Sequence, residues 1–257
     1  MALDLNDIIA WIRAAAQGGI LVSDSRRVKP GDVFFAYPGD AADGRKFIGA
    51  AIAAGAAAVV YDDQDYEWDP AHGVAHRGVP ELKKRAGLIA HAVLEQPDSG
   101  MFTVGVTGTN GKTSIAVWTG QALARPGETA AVVGTLGVGI VKGKGEPSFG
   151  ATGYTTPDAV LLAQTLAGLR AQEATALAIE VSSIGLVLDR AAGMHFDVAI
   201  FTNLTRDHLD FHGDMENYET AKRKLFEWEG LKSAVVNLDD PAGLRLVAHL
   251  RKNFAGL

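Results

Sequence analysis

Apolar positions repeat with two different periods along the chain, which predicts an alternation of helices and strands. Near the N-terminus, Leu5, Ile8, Ile9 and Ile12 fall on one face of a helix. Further on, short continuous apolar runs are typical of strands that are buried on both faces. The predicted strands are 32–37, 56–61, 103–106, 130–134, 176–180, 198–203 and 234–237, and the predicted helices are 46–55, 82–94, 113–124, 158–172 and 218–227. The pattern therefore predicts an α/β fold, with a parallel sheet covered by helices on both faces in the second half.

A polar turn cluster at residues 95–100, Glu-Gln-Pro-Asp-Ser-Gly, is the best candidate for a domain boundary. We therefore predict a small α/β domain at 1–98 and a second α/β domain at 99–257. In open parallel sheets, ligands bind beyond the carboxyl ends of the strands. Functional residues are accordingly expected in the loops that follow the strands.

Composition and charge exclude several classes of protein. The 257 residues are 47% hydrophobic and 21% charged, which is an ordinary globular balance. The chain has no cysteine, which excludes a disulfide framework, a cysteine-based zinc site and a thiolate nucleophile. A net charge of −6 argues against non-specific nucleic-acid binding. The longest stretch of small apolar residues, 48–61, is too short to cross a membrane. We therefore expect a cytoplasmic protein that binds neither nucleic acid nor membrane.

A glycine-rich loop joins a predicted strand to a predicted helix at residues 104–113, Val-Gly-Val-Thr-Gly-Thr-Asn-Gly-Lys-Thr. In such a loop, successive backbone N–H groups can surround phosphate oxygens. Lys112 can then reach the β- and γ-phosphates, and the Thr113 hydroxyl can ligate Mg²⁺. Val106 replaces the first glycine of the strict pattern, but the G-x-x-G-K-T part is intact. The loop predicts a nucleoside triphosphate with Mg²⁺ and leaves the reaction open, because GTPases, kinases, ATPase motors and ligases share it.

Three further positions carry candidate chemistry, each with an ordinary alternative. Glu180 ends a predicted strand, which suits a Mg²⁺ ligand or a base that positions water, but also a solvated acid. The segment 203–212 follows the next strand, and His208 within it could bind a metal ion or simply belong to a polar loop. Lys222 is one charge on an amphipathic helix, and its position alone indicates nothing more.

Taken together, these segments resemble the Mur ligase family of peptidoglycan synthesis. The similar stretches are 24–26, 30–34, 39 with 43–45, 105–113, 134–137, 155–157, 180–183, 202–210 and 218–226. The wider superfamily shares the Thr-Gly-Thr-Asn-Gly-Lys-Thr loop. The Asp-Ser-Arg, Thr-Thr-Pro and Glu-Val-Ser-Ser elements resemble the branch that adds the third residue of the stem peptide, meso-diaminopimelate, to UDP-MurNAc-L-Ala-D-Glu.

The resemblance implies a role for each matching position. The implied ATP-binding residues are Gly108, Thr109, Asn110, Gly111, Lys112, Thr113 and Ser114. The implied substrate-binding residues are Ser25, Asp43, Gly44 and Arg45 for the uridine and diphosphate, and Thr155, Thr156, Ser182 and Arg190 for the muramoyl dipeptide. The implied Mg²⁺ ligands are Thr113, Glu180 and His208. The implied catalytic residues are Lys112, Glu180, His208 and Lys222, with Lys222 carried as N6-carboxylysine.

The implied chemistry is ATP-dependent amide formation by a monomeric enzyme. The terminal carboxylate of the UDP-sugar dipeptide attacks the γ-phosphate of ATP. An amine of the incoming amino acid then attacks the acyl phosphate, which gives the amide, ADP and phosphate. The resemblance assigns UDP-sugar binding to 1–98 and ATP binding to 99–257.

The chain departs from the family in sequence and in length. Ile184 stands where the family usually has His, so no polar role is assigned there. Asp40 and Ala42 replace residues that are often polar or basic, which leaves the diphosphate contacts open. Mur ligases have three domains, and this chain resembles the first and most of the second. We therefore expect the C-terminal ligase domain to be absent from these 257 residues, and the chain alone not to catalyse ligation.

Two other functions fit the same residues. One is another ligase of the superfamily, either a different Mur ligase or folylpolyglutamate synthase. The other is a non-catalytic module that binds a nucleotide without turnover. The sequence also leaves open whether the third amino acid is diaminopimelate or lysine.

Overall fold

The computed structural model describes residues 5–16, 18–39, 42–125, 127–142, 148–150, 153 and 155–253, so Asp40 lies outside the described residues. The chain divides into two compact units. The first unit consists of Met1–Pro97, Asp158–Ala167 and Ala192–Met194. The second unit consists of Asp98–Pro157, Gly168–Ala191 and His195–Leu257.

The first unit contains a parallel sheet whose described strands are ordered β1-β2-β3-β4. Its strands are β1 Leu21–Val22, β2 Val33–Ala36, β3 Ala58–Asp62 and β4 Ala75–Val79, and its helices are α1 Leu5–Ala15, α2 Ile48–Ala53 and α3 Leu82–Val93. Side chains of β2 alternate between the two faces of the sheet. Val33 and Phe35 pack in one apolar cluster with Ile12 of α1, while Phe34 packs in another with Ile48 of α2. Both faces of this sheet are therefore covered.

The second unit contains a larger sheet, ordered β11-β10-β5-β9-β6-β7-β8 among the described strands. Its strands are β5 Phe102–Thr107, β6 Thr129–Gly134, β7 Gly137–Lys142, β8 Ser148–Gly150, β9 Ala176–Glu180, β10 Val198–Phe201 and β11 Ser233–Val236. The helices are α4 Lys112–Leu123, α5 Ala159–Ala171, α6 Ser183–Val187, α7 Leu209–His212, α8 Met215–Arg223 and α9 Pro241–Asn253, of which α5 begins in the first unit. Strands β11, β10, β5, β9 and β6 run parallel, so their carboxyl ends share one edge.

The parallel sheet predicted for the second half is present, and two strands that were not predicted extend it at one side. Strands β7 and β8 are antiparallel to their neighbours. Gly134 pairs with Gly137 across a two-residue turn, and Gly137 adopts a φ of +109°, which favours glycine. Residues of β7 alternate between buried and partly exposed, a pattern of half-buried antiparallel strands. The search for continuous apolar runs therefore missed this hairpin.

Most predicted elements are present, with shifts at their ends. The predicted helix 46–55 is a 3-10 turn, Gly44–Phe47, followed by α2, and the predicted helix 218–227 starts earlier, at Met215. Strand β4 was missed because its sequence, Ala-His-Arg-Gly-Val, is polar and largely exposed. Edge strands of this kind lack the apolar run that marks a central strand.

None of the helices in the described part of the chain combines the length and the apolar character that crossing a membrane would require.

Two helical glycines give a matched test of how tightly α4 packs on the sheet. A Cβ at Gly120 would lie 2.3 Å from Cγ2 of the buried Val132, whereas a Cβ at Gly168 in α5 would meet nothing within 4 Å. We expect Gly120→Ala to lower the free energy of unfolding by about 1–3 kcal/mol, because the clash outweighs the gain in helix propensity. Gly168→Ala should raise it by about 0.5–1 kcal/mol. Urea denaturation measures both, and equal stabilisation by the two variants would contradict the packing.

Candidate functional site

The phosphate loop follows β5 and leads into α4 at the carboxyl edge of the second sheet. Gly108 and Gly111 have φ angles of +144° and +82°, which favour glycine. A Cβ at Gly108 would also lie 1.9 Å from the Thr202 hydroxyl, so no other residue fits there. Lys112 Nζ donates to the carbonyl oxygens of Gly108 at 3.0 Å and Thr109 at 2.8 Å. The loop is thus compact, with its lysine folded over it.

The segment after β10 braces this loop from the neighbouring strand. The Thr109 N–H donates to the Asn203 carbonyl at 2.9 Å, and the Asn110 N–H donates to Asn203 Oδ1 at 3.0 Å. The Asn110 carbonyl in turn accepts from the Thr202 hydroxyl at 2.7 Å and from Asn203 Nδ2 at 3.0 Å. Sequence reasoning noted the polar segment but gave Asn203 no role. Asn203 follows β10, which pairs with β5, and this position was the signal in the sequence that could have indicated a contact with the loop.

Glu180 lies beside the first turn of α4, as the shared edge of β5 and β9 predicts. Its side chain is buried, and Oε2 accepts from the Thr113 hydroxyl at 3.0 Å. Oε1 accepts from the Thr135 N–H at 2.8 Å. A carboxylate and a hydroxyl are hard oxygen donors that fit Mg²⁺. The described residues contain no group of three His, Cys, Asp or Glu able to hold a metal ion. The pair therefore suits a cation that also takes phosphate oxygens and water as ligands.

Lys222 of α8 is buried against the same loop. Its Nζ donates to the Gly108 carbonyl at 2.7 Å, the oxygen that Lys112 also contacts, and it lies 4.2 Å from the centre of the Tyr218 ring. Burial, followed by the nearby Lys112 ammonium, lowers the pKa of Lys222 to about 7. Burial also lowers the pKa of Lys112. Lys222 thus presents a partly neutral amine at neutral pH, which fits reaction with CO₂.

His208 opens α7 with a φ of +50° and is half-exposed. Its Nε2 lies 3.6 Å from Asp207 Oδ2, and its ring meets the edge of the Tyr218 ring at 6.2 Å between centroids. The chain therefore brings His208 next to the residue that covers Lys222. A neutral imidazole nitrogen there is a suitable ligand for a divalent cation.

Sequence reasoning gave no role to Tyr218 or His212. Tyr218 is buried, and its hydroxyl lies 3.1 Å from Thr109 Oγ1 of the loop. The His212 ring lies 5.0 Å from that of Tyr218, and its Nε2 lies 3.0 Å from the hydroxyl of the buried Ser183. Burial, followed by Lys222, lowers the pKa of His212. The spacing of Tyr218 four residues before Lys222 was a signal that the two side chains meet.

The four residues matched to the muramoyl dipeptide also gather at Glu180. The Thr156 hydroxyl donates to the Glu180 backbone carbonyl at 3.0 Å and lies 3.2 Å from Ser182 Oγ. Arg190 Nη1 donates to the Thr156 carbonyl at 3.0 Å, and the Thr155 hydroxyl lies 3.0 Å from Thr135 Oγ1. Ser182 caps the N-terminus of α6 by accepting from the Gly185 N–H at 3.0 Å. Ile184, the departure from the family pattern, lies half-buried on α6.

The positions matched to the uridine and diphosphate lie in the first unit. Ser25 begins a 3-10 turn, Ser25–Arg27, after β1. A cavity of about 310 Å³ adjoins this turn, and its basic lining residues are Arg26, Arg27 and Lys29. Gly44 and Arg45 form another 3-10 turn, capped by Asp43.

Arg45 is held by its surroundings within the first unit. Its guanidinium pairs with Asp43 at 2.8 Å, donates to the Gln64 carbonyl at 2.6 Å and lies 5.2 Å from the centre of the Tyr66 ring. The hydrogen bond from Arg45 lowers the pKa of Asp43. These contacts fix the shape of the loop that the resemblance assigns to the diphosphate.

The chain is similar to known proteins over most of its length. Residues 106–256 match the family described as Mur ligase middle domain, and residues 19–92 match the Mur ligase family, catalytic domain. A UDP-N-acetylmuramoyl-L-alanyl-D-glutamate--2,6-diaminopimelate ligase from Janthinobacterium sp. (strain Marseille) is 57% identical over 251 residues, which cover 98% of this chain and 49% of that protein. The chain spans about half the length of the curated relatives it matches.

Solved structures share the fold. A structure of UDP-N-acetylmuramoyl-L-alanyl-D-glutamate--2,6-diaminopimelate ligase matches with a TM-score of 0.73 at 34% identity, over 92% of this chain and 46% of that one. The MurF ligase from Thermotoga maritima, in complex with ADP, matches with a TM-score of 0.55 at 22% identity, over 92% of this chain and 48% of that one. Since the middle-domain family alone accounts for more than half of its residues, the chain belongs to the Mur ligase family.

Proposed function

We propose that this chain serves an ATP-dependent ligase that joins meso-diaminopimelate to UDP-MurNAc-L-Ala-D-Glu through an acyl phosphate. The position of Glu180 carries the proposal. Its carboxylate accepts from Thr113 of the phosphate loop, while its backbone carbonyl accepts from Thr156, which is matched to the substrate dipeptide. Glu180 thereby lies next to both the phosphate loop and a residue matched to the dipeptide. Transfer of a phosphoryl group to a carboxylate requires the two substrates to lie side by side in this way.

The nucleotide part of the proposal rests on the loop itself. Its backbone N–H groups and the N-terminus of α4 favour bound phosphates, and the Lys112 ammonium offsets the negative charge of the transferring group. Thr113 and Glu180 would hold Mg²⁺, which neutralises phosphate charge when bound. The residues matched to ATP follow β5 without interruption, at 108–114.

In the first step, an oxygen of the substrate carboxylate forms a bond to the γ-phosphorus, and the bond from that phosphorus to the ADP oxygen breaks. In the second step, the amine nitrogen bonds to the acyl carbon, phosphate leaves, and the amine loses a proton. Thr155, Thr156, Ser182 and Arg190 would orient the dipeptide for both steps. Water must be excluded, because it would hydrolyse the acyl phosphate.

Lys222 would act as N6-carboxylysine, and its lowered pKa supports this role. Its neutral amine adds to CO₂, which forms a carbamate and releases a proton. The carbamate would place a negative charge beside Lys112, where the ammonium form now adds a second positive charge. His208 would hold a second Mg²⁺ in this region.

The substrate and location of the reaction follow from the same proposal. The Janthinobacterium relative is named for diaminopimelate, which supports that amino acid over lysine. Ser25 and the Asp43–Arg45 turn would hold the uridine and diphosphate. The protein would act as a monomer in the cytoplasm, where ATP and nucleotide sugars occur.

Calorimetric titration of the chain with UDP-MurNAc-L-Ala-D-Glu tests the proposal, with UDP as the comparison. We expect the dipeptide compound to bind at least about tenfold more tightly than UDP, because it adds charged hydrogen bonds to those of the nucleotide. Thr156→Val should remove most of that advantage and leave UDP binding unchanged. Thr165→Val is a matched change, at a hydroxyl that donates to the Leu161 carbonyl of its own helix, and should do neither. A folded chain that binds neither compound would contradict the proposed function.

A further inference from the structure

The turn between β6 and β7, Gly134–Gly137, places one threonine between two parts of the site. We propose that Thr135 is a positioning residue that couples the nucleotide-side carboxylate, Glu180, to the dipeptide-side hydroxyl of Thr155. This inference rests on the proposed function. It assigns a task to a hairpin turn that the sequence-based fold prediction did not contain.

Thr135 contacts Glu180 with both of its donors. Its backbone N–H donates to Oε1 at 2.8 Å, and its hydroxyl donates to Oε2 at 3.3 Å. The same hydroxyl lies 3.0 Å from Thr155 Oγ1. A hydroxyl has one proton to donate, so when it donates to Glu180 it accepts from Thr155. The three groups thus form an ordered chain from a carboxylate to a hydroxyl that is matched to the substrate.

Gly134 is shaped to the same carboxylate. A Cβ there would lie 2.1 Å from Glu180 Oε1 and 2.6 Å from its carboxyl carbon. Any side chain at Gly134 would therefore displace Glu180 from the two donors of Thr135. The turn therefore leaves room for the Glu180 carboxylate at Gly134 and donates hydrogen bonds to it from Thr135.

The bonds from Thr135 differ from the bond that Thr113 makes. Thr113 belongs to the phosphate loop, and its hydroxyl is expected to turn towards a cation and a phosphate when these bind. Thr135 lies outside that loop, and we expect its hydrogen bonds to the buried Glu180 carboxylate to persist when nucleotide binds. A small shift of Glu180 on nucleotide binding then moves the Thr135 hydroxyl, which reorients Thr155. Occupancy of one subsite would in this way alter affinity at the other.

Three variants of the chain separate this coupling from ordinary stability. Thr135→Val removes the hydroxyl and keeps the shape and the backbone N–H, while Thr135→Ser keeps the hydroxyl. Thr129→Val makes the same change at the opposite end of β6 and serves as the control. The measurement is the affinity for UDP-MurNAc-L-Ala-D-Glu, by calorimetry, with and without saturating Mg²⁺ and the non-hydrolysable ATP analogue AMP-PNP.

In the unaltered chain, we expect the analogue to change dipeptide affinity by about fivefold or more, within the usual range of coupling between sites. Thr135→Val should reduce that factor to about one, while its unfolding midpoint in urea stays unchanged. Thr135→Ser and Thr129→Val should keep the factor. Any of three results would overturn the inference and leave the proposed function standing. These are full coupling in Thr135→Val, loss of coupling in Thr135→Ser, and no coupling in an unaltered chain that binds both ligands. An unaltered chain that binds neither ligand would overturn the proposed function, and the inference with it.

Discussion

Replacing Lys112 by methionine is expected to weaken binding of Mg²⁺·AMP-PNP by about 100-fold. A charge-assisted hydrogen bond to phosphate is worth about 1.5–3 kcal/mol, and two such bonds to the β- and γ-phosphates exceed a factor of 100. Calorimetric titration of the chain measures the loss. Lys252→Met, at the exposed end of α9, is the matched control and should bind as the unaltered chain does.

The fold should survive this change. Burial lowers the pKa of Lys112, which means that the folded chain holds its charge at a cost. Methionine keeps the aliphatic stem and removes the charge, so the urea midpoint should not fall. If binding is lost while the urea midpoint is unchanged, the Lys112 side chain contacts the phosphates. If the affinity stays within threefold of that of the unaltered chain, the backbone of the loop alone holds the nucleotide.

The second large effect is expected at Lys222, whose amine should react with CO₂ far more readily than any exposed lysine. At pH 8, a pKa of about 7 leaves about nine-tenths of the amine neutral, whereas the ordinary value of 10.5 leaves about three parts in a thousand. In ¹³C-bicarbonate at pH 8, we expect one carbamate resonance in the ¹³C spectrum beyond that of the chain's α-amino group, which also reacts with CO₂ at this pH. Lys222→Met should abolish this additional resonance, and Lys224→Met, two residues along, should not. Persistence of the additional resonance in Lys222→Met would refute the assignment.

The same lowered pKa sets a pH dependence of stability. Between about pH 7 and 10.5, the unfolded chain keeps a proton on Lys222 that the folded chain has lost. The unfolded state therefore binds more protons, and the free energy of unfolding rises with pH across this window. In CO₂-free buffer, Lys222→Met should flatten that rise between pH 7 and 9. An equally steep rise in the variant would place the lowered pKa on another group.

The parts of the site that the sequence could predict are those that one short segment builds. The phosphate loop depends on glycines and a lysine at fixed spacing, and Glu180 follows from the rule that parallel strands end at a common edge. The resemblance added the dipeptide residues, which gather at Glu180 in the fold. Local sequence and one topological rule were sufficient for the loop and for Glu180, whereas the dipeptide residues needed the family resemblance.

The rest depends on contacts between distant segments. The hydroxyl of Tyr218 reaches Thr109 only because α8 packs beside the loop, and no periodicity within α8 shows this contact. The antiparallel hairpin was missed because half-buried strands carry a weaker apolar signal than central ones. Strand β4 was missed because its exposed edge is polar. Thr135 acquires its position through that hairpin, so its role was beyond sequence reasoning as well.

Lys112 and Lys222 both donate to the Gly108 carbonyl, and their closeness affects how many protons the site binds. Burial and the nearby Lys112 ammonium lower the pKa of Lys222 to about 7, so this side chain is only partly protonated near neutral pH. A triphosphate bound beside them would raise the pKa of Lys222 and draw a proton from solution. Nucleotide binding would then absorb protons, with an apparent heat that depends on the buffer that supplies them. Carboxylation of Lys222 replaces that uptake with a fixed negative charge, so CO₂ sets how many protons accompany each nucleotide.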